Sequence, residues 1–269
     1  MTPRASFTTH VVDIEGDQVI KRFRSWDRGE HLREWQALTL LARYAPGLAP
    51  VPLSAGLTSV PPCVRMSRVA GRPLDGQTVT PRHLDAVAAA ISRLHAAVPR
   101  DVVAGLPPQP WLGVGAVSQM RSIAARARAV DGEDPARVAF DAGMHWLGRA
   151  ADPQPGPRSV VFGQGDGNLA NYLWDGGRVR LVDFEDSGRS DRAYELAAFA
   201  EHLSVWHDAG VDAGALLGRF ELTGAERERV LFFRRAFAFY WLLKLVGRGA
   251  ERHAALHRQA ARLLALLGD

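Results

Sequence analysis

The amino-acid sequence predicts an α+β protein in two lobes, because strand patterns are concentrated before residue 70 and helical patterns after residue 80. One strand-like stretch, residues 159–183, interrupts the helical part. A chain of 269 residues can bury a full core in one compact protein or in two modest lobes. We therefore expect a small β-rich lobe over residues 1–70 and a larger, mainly helical lobe over residues 71–269.

The first lobe begins with a β-hairpin signal, in which two apolar runs flank a Glu-Gly-Asp turn at residues 15–17. Apolar residues then recur at helical spacing from Leu32 onward, until prolines end the pattern. A break at residues 70–73 is the candidate hinge between the lobes. The predicted elements are strands over 8–14 and 18–23, a helix over 28–44, and strands near 51–57 and 63–69.

Beyond Pro81 the chain turns mainly helical. Leu84 to Val98 carry one apolar stripe, and Pro81 suits the first turn of that helix. The stretch 99–115 is rich in Pro and Gly and predicts a loop. The remaining predicted elements are helices over 116–130 and 135–150, a linker at 152–158, the strand-like stretch, and three or four helices at the C-terminal end.

Composition limits the classes of function that fit this chain. The formal charge is +4, but the basic residues are scattered, which argues against nucleic acid as a partner. A lone cysteine, Cys63, excludes an internal disulfide and a Cys-rich metal site. The sequence predicts neither a signal peptide nor a membrane span. We expect a cytoplasmic monomer or homodimer that does not bind membranes.

Three oxygen-bearing side chains are predicted to converge at one end of a β-hairpin. Asp166 follows a short apolar strand on a glycine-rich turn, and Asn171 comes five residues later. A turn at residues 175–177 predicts a hairpin in which the numbers of facing residues sum to 352 or 353. Asn171 and Asp183 sum to 354, so both lie at the open end, and Asp166 can fold back to it.

Such a cluster suits Mg²⁺, a hard cation that takes oxygen ligands and keeps bonds to phosphate. It also leaves one carboxylate free to accept a proton from an attacking hydroxyl group. Each residue alone is more often ordinary turn chemistry, since Asp and Asn beside Gly are common in turns. Their joint spacing after a buried strand favours the catalytic interpretation.

This stretch resembles the aminoglycoside phosphotransferase and choline kinase family, whose motif is His-Gly-Asp, four residues and Asn, then a hairpin ending in a metal-binding Asp. The chain has Gln-Gly-Asp at residues 164–166, then Asn171, then Leu-Val-Asp-Phe at residues 181–184. The resemblance implies a bilobal protein-kinase-like fold, with Asp166 as catalytic base and with Asn171 and Asp183 as Mg²⁺ ligands. It also implies ATP or GTP as the phosphoryl donor.

Three features depart from the family pattern. Gln164 replaces the usual His, and we interpret it as a supporting position rather than one that transfers a proton. Glu195 stands where Asp is usual, in the segment that leads into the next helix. The sequence shows no clear Gly-rich loop before Lys21 to cover a triphosphate.

The first lobe adds independent support. Lys21, within residues 19–23, matches the family's nucleotide-binding strand, whose Lys contacts the α- and β-phosphates. Glu34 shares the inward face of the predicted helix, where a carboxylate needs a partner such as this Lys. Glu30, one turn earlier, is the alternative, and a solvated Lys with a boundary Glu is the non-functional interpretation.

Residues 63–74 resemble the hinge segment of the same family. By that resemblance the backbone of Ser67 and Val69 bonds adenine, and Met66 lines the rear of the nucleotide pocket. Backbone contacts of this kind leave little trace in the side chains.

The sequence thus predicts a small-molecule kinase that moves the γ-phosphoryl group of ATP or GTP to a hydroxyl group of an antibiotic or related metabolite. No acidic cluster stands out after residue 200, which favours a neutral or weakly charged acceptor over a polycationic aminoglycoside. Aromatic residues at helical spacing are more often core than pocket. With that alternative open, the candidates for the acceptor pocket are Trp206, His207, Tyr240 and Trp241.

Other classes of function fit less well. A degenerate kinase fold that binds nucleotide or a partner without turnover is favoured by Gln164 and by the missing Gly-rich loop. The intact polar set argues against it. A Rossmann-type oxidoreductase is suggested by a Gly-x-Gly at residues 163–165, but a hairpin rather than a helix is predicted to follow. A structural helical protein would leave the polar cluster unexplained.

Overall fold

The secondary structure confirms the predicted α+β architecture, with a small antiparallel sheet followed by a helical lobe. The computed structural model describes residues 10–24, 28–110, 115–127, 135–154, 156, 159–246 and 253–268. Within them the strands are β1 Val11–Glu15, β2 Gln18–Arg22, β3 Pro52–Gly56, β4 Cys63–Ser67, β5 Arg72–Pro73, β6 Val160–Gly163, β7 Tyr172–Trp174, β8 Val179–Leu181 and β9 Gly188–Asp191. The helices are α1 Glu30–Tyr44, α2 Pro81–Ala97, α3 Arg100–Ala104, α4 Ala116–Ala125, α5 Pro135–Arg149, α6 Arg192–Glu201, α7 Ala213–Leu217, α8 Gly224–Leu245 and α9 His253–Gly268.

The first lobe is built on a four-stranded sheet in the order β1-β2-β4-β3. Lys21 lies on the inner strand β2, where it faces Val12 of β1 and Val64 of β4. Directly opposed residues project from the same face of a sheet, so Lys21 points to the buried side with Val64. Helix α1 packs against β3 and β4 and buries Glu34 beside Leu38.

The second lobe contains the predicted hairpin, and its predicted register is confirmed. Tyr172 faces Leu181 and Trp174 faces Val179, so the paired residue numbers sum to 353. Beyond the last pair, the Val182 N–H donates to the backbone oxygen of Asn171 at 3.0 Å. The open end of the hairpin therefore holds Asn171 next to the residue that precedes Asp183.

The chain changes from one sheet to another between β4 and β5. Strand β4 belongs to the first sheet, whereas β5 pairs with β7 of the hairpin. Gly71 lies between them with a φ of 133°, and a Cβ there would lie 3.0 Å from the Trp174 carbonyl oxygen. We propose residue 70 as the boundary between the lobes, because the chain changes partners at that point.

Helix α6 forms the centre of the helical lobe, since residues 193–201 are all buried, largely against α8. Helices α8 and α9 pack together, and α5 packs against α9. In the described part of the chain, no helix combines the length and the apolar character needed to cross a bilayer.

The prediction of a loop over 99–115 is wrong at α3. Pro99 caps the start of this helix, and Val103 is buried against the core. Proline suits the start of a helix because the first N–H groups have no intrahelical partner. The proline therefore marked a helix boundary rather than a continuous loop.

Candidate active site

The loop between β6 and β7 places Asp166 directly against Asn171. The Asn171 Nδ2 donates to Asp166 Oδ2 at 2.9 Å, and the Asn168 N–H donates to Oδ1 at 3.1 Å. A single 3₁₀ turn, Leu169–Asn171, begins at Asn168 and brings Asn171 back towards Asp166. Asn171 is buried, whereas the Asp166 side chain keeps 36% of its surface exposed. The carboxylate is thus held in place and still faces a cleft.

Asp183 follows β8 and approaches the same pair. Its φ is 66°, and no other residue apart from glycine in the described ranges has a positive φ. Such a backbone conformation is costly for a side chain and is concentrated at functional sites. Partial burial and the negative charge of Asp183 raise the pKa of Asp166 to about 7, against the hydrogen bonds from Asn168 and Asn171. Asp166, Asn171 and Asp183 therefore lie at the same end of the hairpin, as their spacing predicted: Asn171 bonds Asp166 and the residue before Asp183, and the charge of Asp183 acts on Asp166.

Gln164 ties the Asp166 loop to the Asp183 loop. Its Nε2 donates to the backbone oxygens of Val182 at 2.6 Å and Asp183 at 3.3 Å. Through these contacts the Gln164 amide connects two loops without transferring a proton. This agrees with the supporting position expected from the sequence.

Glu195, on α6, holds the same loop by hydrogen bonds to its backbone. It accepts hydrogen bonds from the N–H groups of Gln164 at 3.0 Å and Gly165 at 3.1 Å. The Ser190 hydroxyl donates to its other oxygen at 2.5 Å. Burial raises the pKa of Glu195, while these three hydrogen bonds oppose the increase.

The glycines around Asp166 permit close packing rather than dinucleotide binding. Gly165 has a φ of 83°, and a Cβ on Gly167 would lie 2.5 Å from the backbone of Ala198 and Phe199 on α6. The Gly-x-Gly at residues 163–165 precedes a hairpin, as expected, so the Rossmann interpretation finds no support in this local structure.

Lys21 lies at the centre of a buried charge cluster that joins the two lobes. Its Nζ is 3.0 Å from Glu34 Oε2, 2.5 Å from Asp183 Oδ1 and 2.6 Å from Glu185 Oε2. Glu34 is fully buried and also accepts the N–H of Phe184 at 2.9 Å. The structure thus pairs Lys21 with Glu34.

Glu30, the alternative partner of Lys21, contacts other basic side chains. Its carboxylate lies 3.0 Å from Arg28 and 3.4 Å from His10. Glu185 was not anticipated from the sequence; its position two residues after Asp183 is the signal that could have identified it. His10, Glu30 and Glu185 lie close enough together to hold a cation, but Lys21 already contacts Glu185.

Opposing effects set the pKa values in this cluster. Burial alone would lower the pKa of Lys21, but the charges of Glu34, Asp183 and Glu185 raise it well above its usual value. Burial alone would raise the pKa of Glu185, but its contacts with His10 and Lys21 lower it to about 2. Lys21 is therefore a fixed positive charge beside the Asp183 loop.

The residues expected at the adenine site lie at the end of β4. Met66 is buried, and Val69 is half-buried two residues beyond the strand. The Ser67 N–H donates to the Val51 carbonyl oxygen at 2.9 Å, and its Oγ accepts the Val51 N–H. The Ser67 N–H therefore already has a partner, which makes Val69 the stronger candidate for a backbone contact with a base.

A cavity of about 260 Å³ opens on the other side of Asp166. Tyr240 and Trp241 of α8 line it, as the sequence suggested, whereas Trp206 and His207 are not part of its wall. Sequence reasoning missed other residues of this wall, among them Tyr194 and Phe237, which pack ring against ring, and His202. Tyr194 lies on α6, whose residues 193–201 are all buried, so periodicity there does not show which face borders a cavity.

The structure is similar to solved small-molecule phosphotransferases. A choline/ethanolamine kinase family protein from Mesorhizobium loti shares 18% identity, with a TM-score of 0.66 over 97% of this chain and 86% of that chain. The GDP complex of aminoglycoside 2'-phosphotransferase-IIIa shares 15%, with a TM-score of 0.64 over 97% and 88%. Spectinomycin phosphotransferase, solved with ADP and spectinomycin, shares 12%, with a TM-score of 0.59 over 98% and 89%.

Sequence comparison agrees with the fold. No match is found among curated proteins. Residues 4–233 match the model of the phosphotransferase enzyme family, and this range includes the β2 lysine, the Asp166 loop and the Asp183 loop. Because the match covers most of the chain, the protein belongs to the phosphotransferase enzyme family.

Proposed function

We propose that this protein transfers the γ-phosphoryl group of ATP or GTP to a hydroxyl group of a small molecule, with Asp166 as catalytic base. The observation that carries the proposal is one connected set of contacts. Lys21 contacts Asp183, Gln164 joins the Asp183 loop to the Asp166 loop, and Asn171 holds Asp166. A set that spans both lobes suits a substrate held between them, and the solved relatives bind ADP or GDP.

The residues present fit a magnesium ion. The Asn171 Nδ2 donates its hydrogen bond to Asp166, which leaves the amide oxygen for another partner. Asp183 offers Lys21 one oxygen, and its side chain remains 39% exposed. Oxygen donors of this kind are what Mg²⁺ prefers, and only part of its coordination shell usually comes from protein. We propose Asn171 and Asp183 as its ligands; when bound, Mg²⁺ would offset negative charge on the phosphates.

The side chains of this chain divide the remaining tasks. Lys21, fixed by Glu34, orients the phosphates and offsets their charge. Asp166 orients the acceptor hydroxyl and takes its proton at a carboxylate oxygen. Met66 and Val69 provide the wall and the backbone contact for the base. The pKa of about 7 makes Asp166 an effective proton acceptor near neutral pH.

The cavity favours an acceptor that is neutral or weakly charged. Two of its carboxylates already have cationic partners, since Asp186 lies 3.1 Å from Arg28 and Glu185 lies 2.6 Å from Lys21. The aromatic wall offers apolar area with few fixed charges. We propose a hydroxylated antibiotic or related metabolite, since the solved relatives include antibiotic phosphotransferases.

The test is mass spectrometry on a panel of hydroxylated metabolites, scored for the mass gain of one phosphoryl group. Asp166→Asn keeps the shape but removes the base, so turnover should fall by about 10²–10⁴-fold. The matched control is Asp141→Asn, an exposed residue of α5 paired with Arg137. Nucleotide binding without transfer to any acceptor would instead favour a degenerate kinase fold, and unchanged turnover in Asp166→Asn would exclude this base.

A further inference from the structure

We propose that His202 binds the acceptor oxygen, by donating a hydrogen bond from Nε2 to the hydroxyl group from which Asp166 removes the proton. The inference rests on the proposed function and deepens it. His202 follows the last turn of α6, lines the same cavity as Asp166 and keeps 15% of its side chain exposed. Three observations support the assignment: its tautomer, its fixed orientation and its distance from Asp166.

Hydrogen bonds at Nδ1 determine the tautomer of His202. The Ser204 N–H donates to Nδ1 at 3.2 Å, and Ser204 Oγ lies 2.7 Å from the same nitrogen. That Oγ accepts the N–H of Leu169 at 2.9 Å, which leaves the hydroxyl proton to be donated to Nδ1. Because Nδ1 accepts, a neutral ring carries its proton on Nε2.

The surroundings keep the ring neutral and fixed. Burial lowers the pKa of His202 to about 4, although the charge of Asp208 acts in the opposite direction. The ring meets Trp241 edge to face, with centroids 4.9 Å apart. At neutral pH, His202 is therefore a neutral donor with one orientation.

The Nε2 atom lies 3.8 Å from Asp166 Oδ1, too far for a direct hydrogen bond. An oxygen atom beside this gap can lie about 2.8 Å from both atoms, which is normal hydrogen-bond length. Oδ2 accepts from Asn171 and Oδ1 accepts from the Asn168 N–H, so Oδ1, which faces Nε2, keeps a second lone pair for the acceptor hydroxyl. The gap between His202 and Oδ1 is thus shaped for one hydroxyl group.

At this position the acceptor hydroxyl can both hold its hydrogen bond and react with the γ-phosphoryl group. The acceptor oxygen takes one hydrogen bond from Nε2–H and forms its bond to the γ-phosphorus with a remaining electron pair. Its proton passes to Asp166 Oδ1, and the nucleoside diphosphate leaves with the electron pair of the broken P–O bond. An alcohol can donate and accept here, whereas an ammonium group can only donate. His202 therefore selects alcohols over amines as acceptors.

Two substitutions separate this role from a purely structural one. His202→Asn keeps an acceptor near Nδ1 for Ser204 but loses the donor facing Asp166; His202→Gln keeps that donor and loses the Nδ1 acceptor. We expect kcat/KM for the acceptor to fall about 10-fold in His202→Asn, with the KM for ATP unchanged, as for one lost hydrogen bond. His202→Gln should retain most of the activity, and His145→Asn, on the exposed side of α5, is the control.

Equal losses in both variants, or a loss confined to His202→Gln, would overturn the proposal, since the Ser204 contacts would then be what matters. Nitrogen-15 NMR of the wild-type protein gives a second answer even if a variant fails to fold. The signal absent from His202→Gln, or otherwise assigned to residue 202, should show a proton on Nε2; a proton on Nδ1 overturns the proposal. Absence of phosphoryl transfer by the wild-type enzyme contradicts the proposed function instead, so the two failures are distinguishable.

Discussion

The two sides of Asp166 are built by different means. On one side, Lys21 joins the lobes through a buried ion pair with Glu34 and a partly buried one with Asp183. On the other side, Tyr240 and Trp241 line a cavity walled mainly by residues of the helical lobe. The first side suits the charged phosphates that every donor shares, and the second suits an acceptor recognised by shape and hydrogen bonds. Donor binding and acceptor binding should therefore be separable by single substitutions.

Lys21→Met should produce the largest separation. It keeps the length of the side chain but removes the positive charge, so kcat/KM for ATP should fall by about 100-fold, as for charge-assisted hydrogen bonds. The KM for the acceptor should change little. The control is Lys244→Met, the other lysine of the chain, whose Nζ lies over the Tyr240 ring. Steady-state kinetics with each substrate varied measures both effects; an equal change in both KM values would contradict the separation.

Trp241→Leu tests the opposite side. Loss of the aromatic wall should raise the KM for the acceptor by about 10-fold and leave the KM for ATP unchanged. Trp206→Leu is the matched control, because Trp206 packs under Arg262 rather than in the cavity. If Trp206→Leu had the larger effect on the acceptor, the cavity beside Asp166 would not be the acceptor site.

Gln164→Ala tests the connection between the sides. Loss of its contacts with the Val182 and Asp183 backbone should lower kcat about 5-fold and raise the Mg²⁺ concentration needed for half-maximal rate. Gln164→His, which supplies a donor at the same place, should recover most of the rate. A magnesium titration of both variants checks this, and identical behaviour of Gln164→Ala and wild type would show that the connection is dispensable.

His95 belongs neither to the charged side nor to the aromatic side of Asp166, because it lines a separate cavity beside the start of α8. Its substitution therefore tests stability without touching either side. Burial and the charge of Arg192 lower its pKa to about 3 from 6.5. Between these values the unfolded chain binds a proton that the folded protein does not, so the free energy of unfolding falls as the pH decreases. His95→Leu should reduce that slope by up to about 1.4 kcal/mol per pH unit. Urea unfolding at a series of pH values measures it, and both KM values should stay unchanged.

The donor side was predictable because strand register and helix spacing are short-range rules. The sum rule for the hairpin placed Asn171 beside Asp183, and the inward face of α1 placed Glu34 opposite Lys21. The roles of these residues, and the lobe boundary at residue 70, remain predictions. The sequence predicted only that these residues lie close together.

The acceptor side was only partly predictable, because α6 is buried on all faces and periodicity cannot show which face borders a cavity. His202 caps the end of that helix, two residues before a π-helical turn at Ser204–Asp208. Its direction depends on the contact with Ser204, which in turn depends on Leu169 from a distant part of the chain. A contact network of this kind has no signature in local spacing.

Gly167 packs directly against the backbone of α6, and this contact affects how the site can move. With no side chain between the loop and the helix backbone, the Asp166 loop packs directly on α6, and His202 follows the end of that helix. Lys21 belongs to the neighbouring sheet, so any hinge motion at Gly71 would change its distance from Asp183 and leave the gap between Asp166 and His202 as it is. Under the proposed function, the place for the incoming hydroxyl would thus be assembled before any substrate binds, and opening or closing the lobes would change only the contacts with the triphosphate.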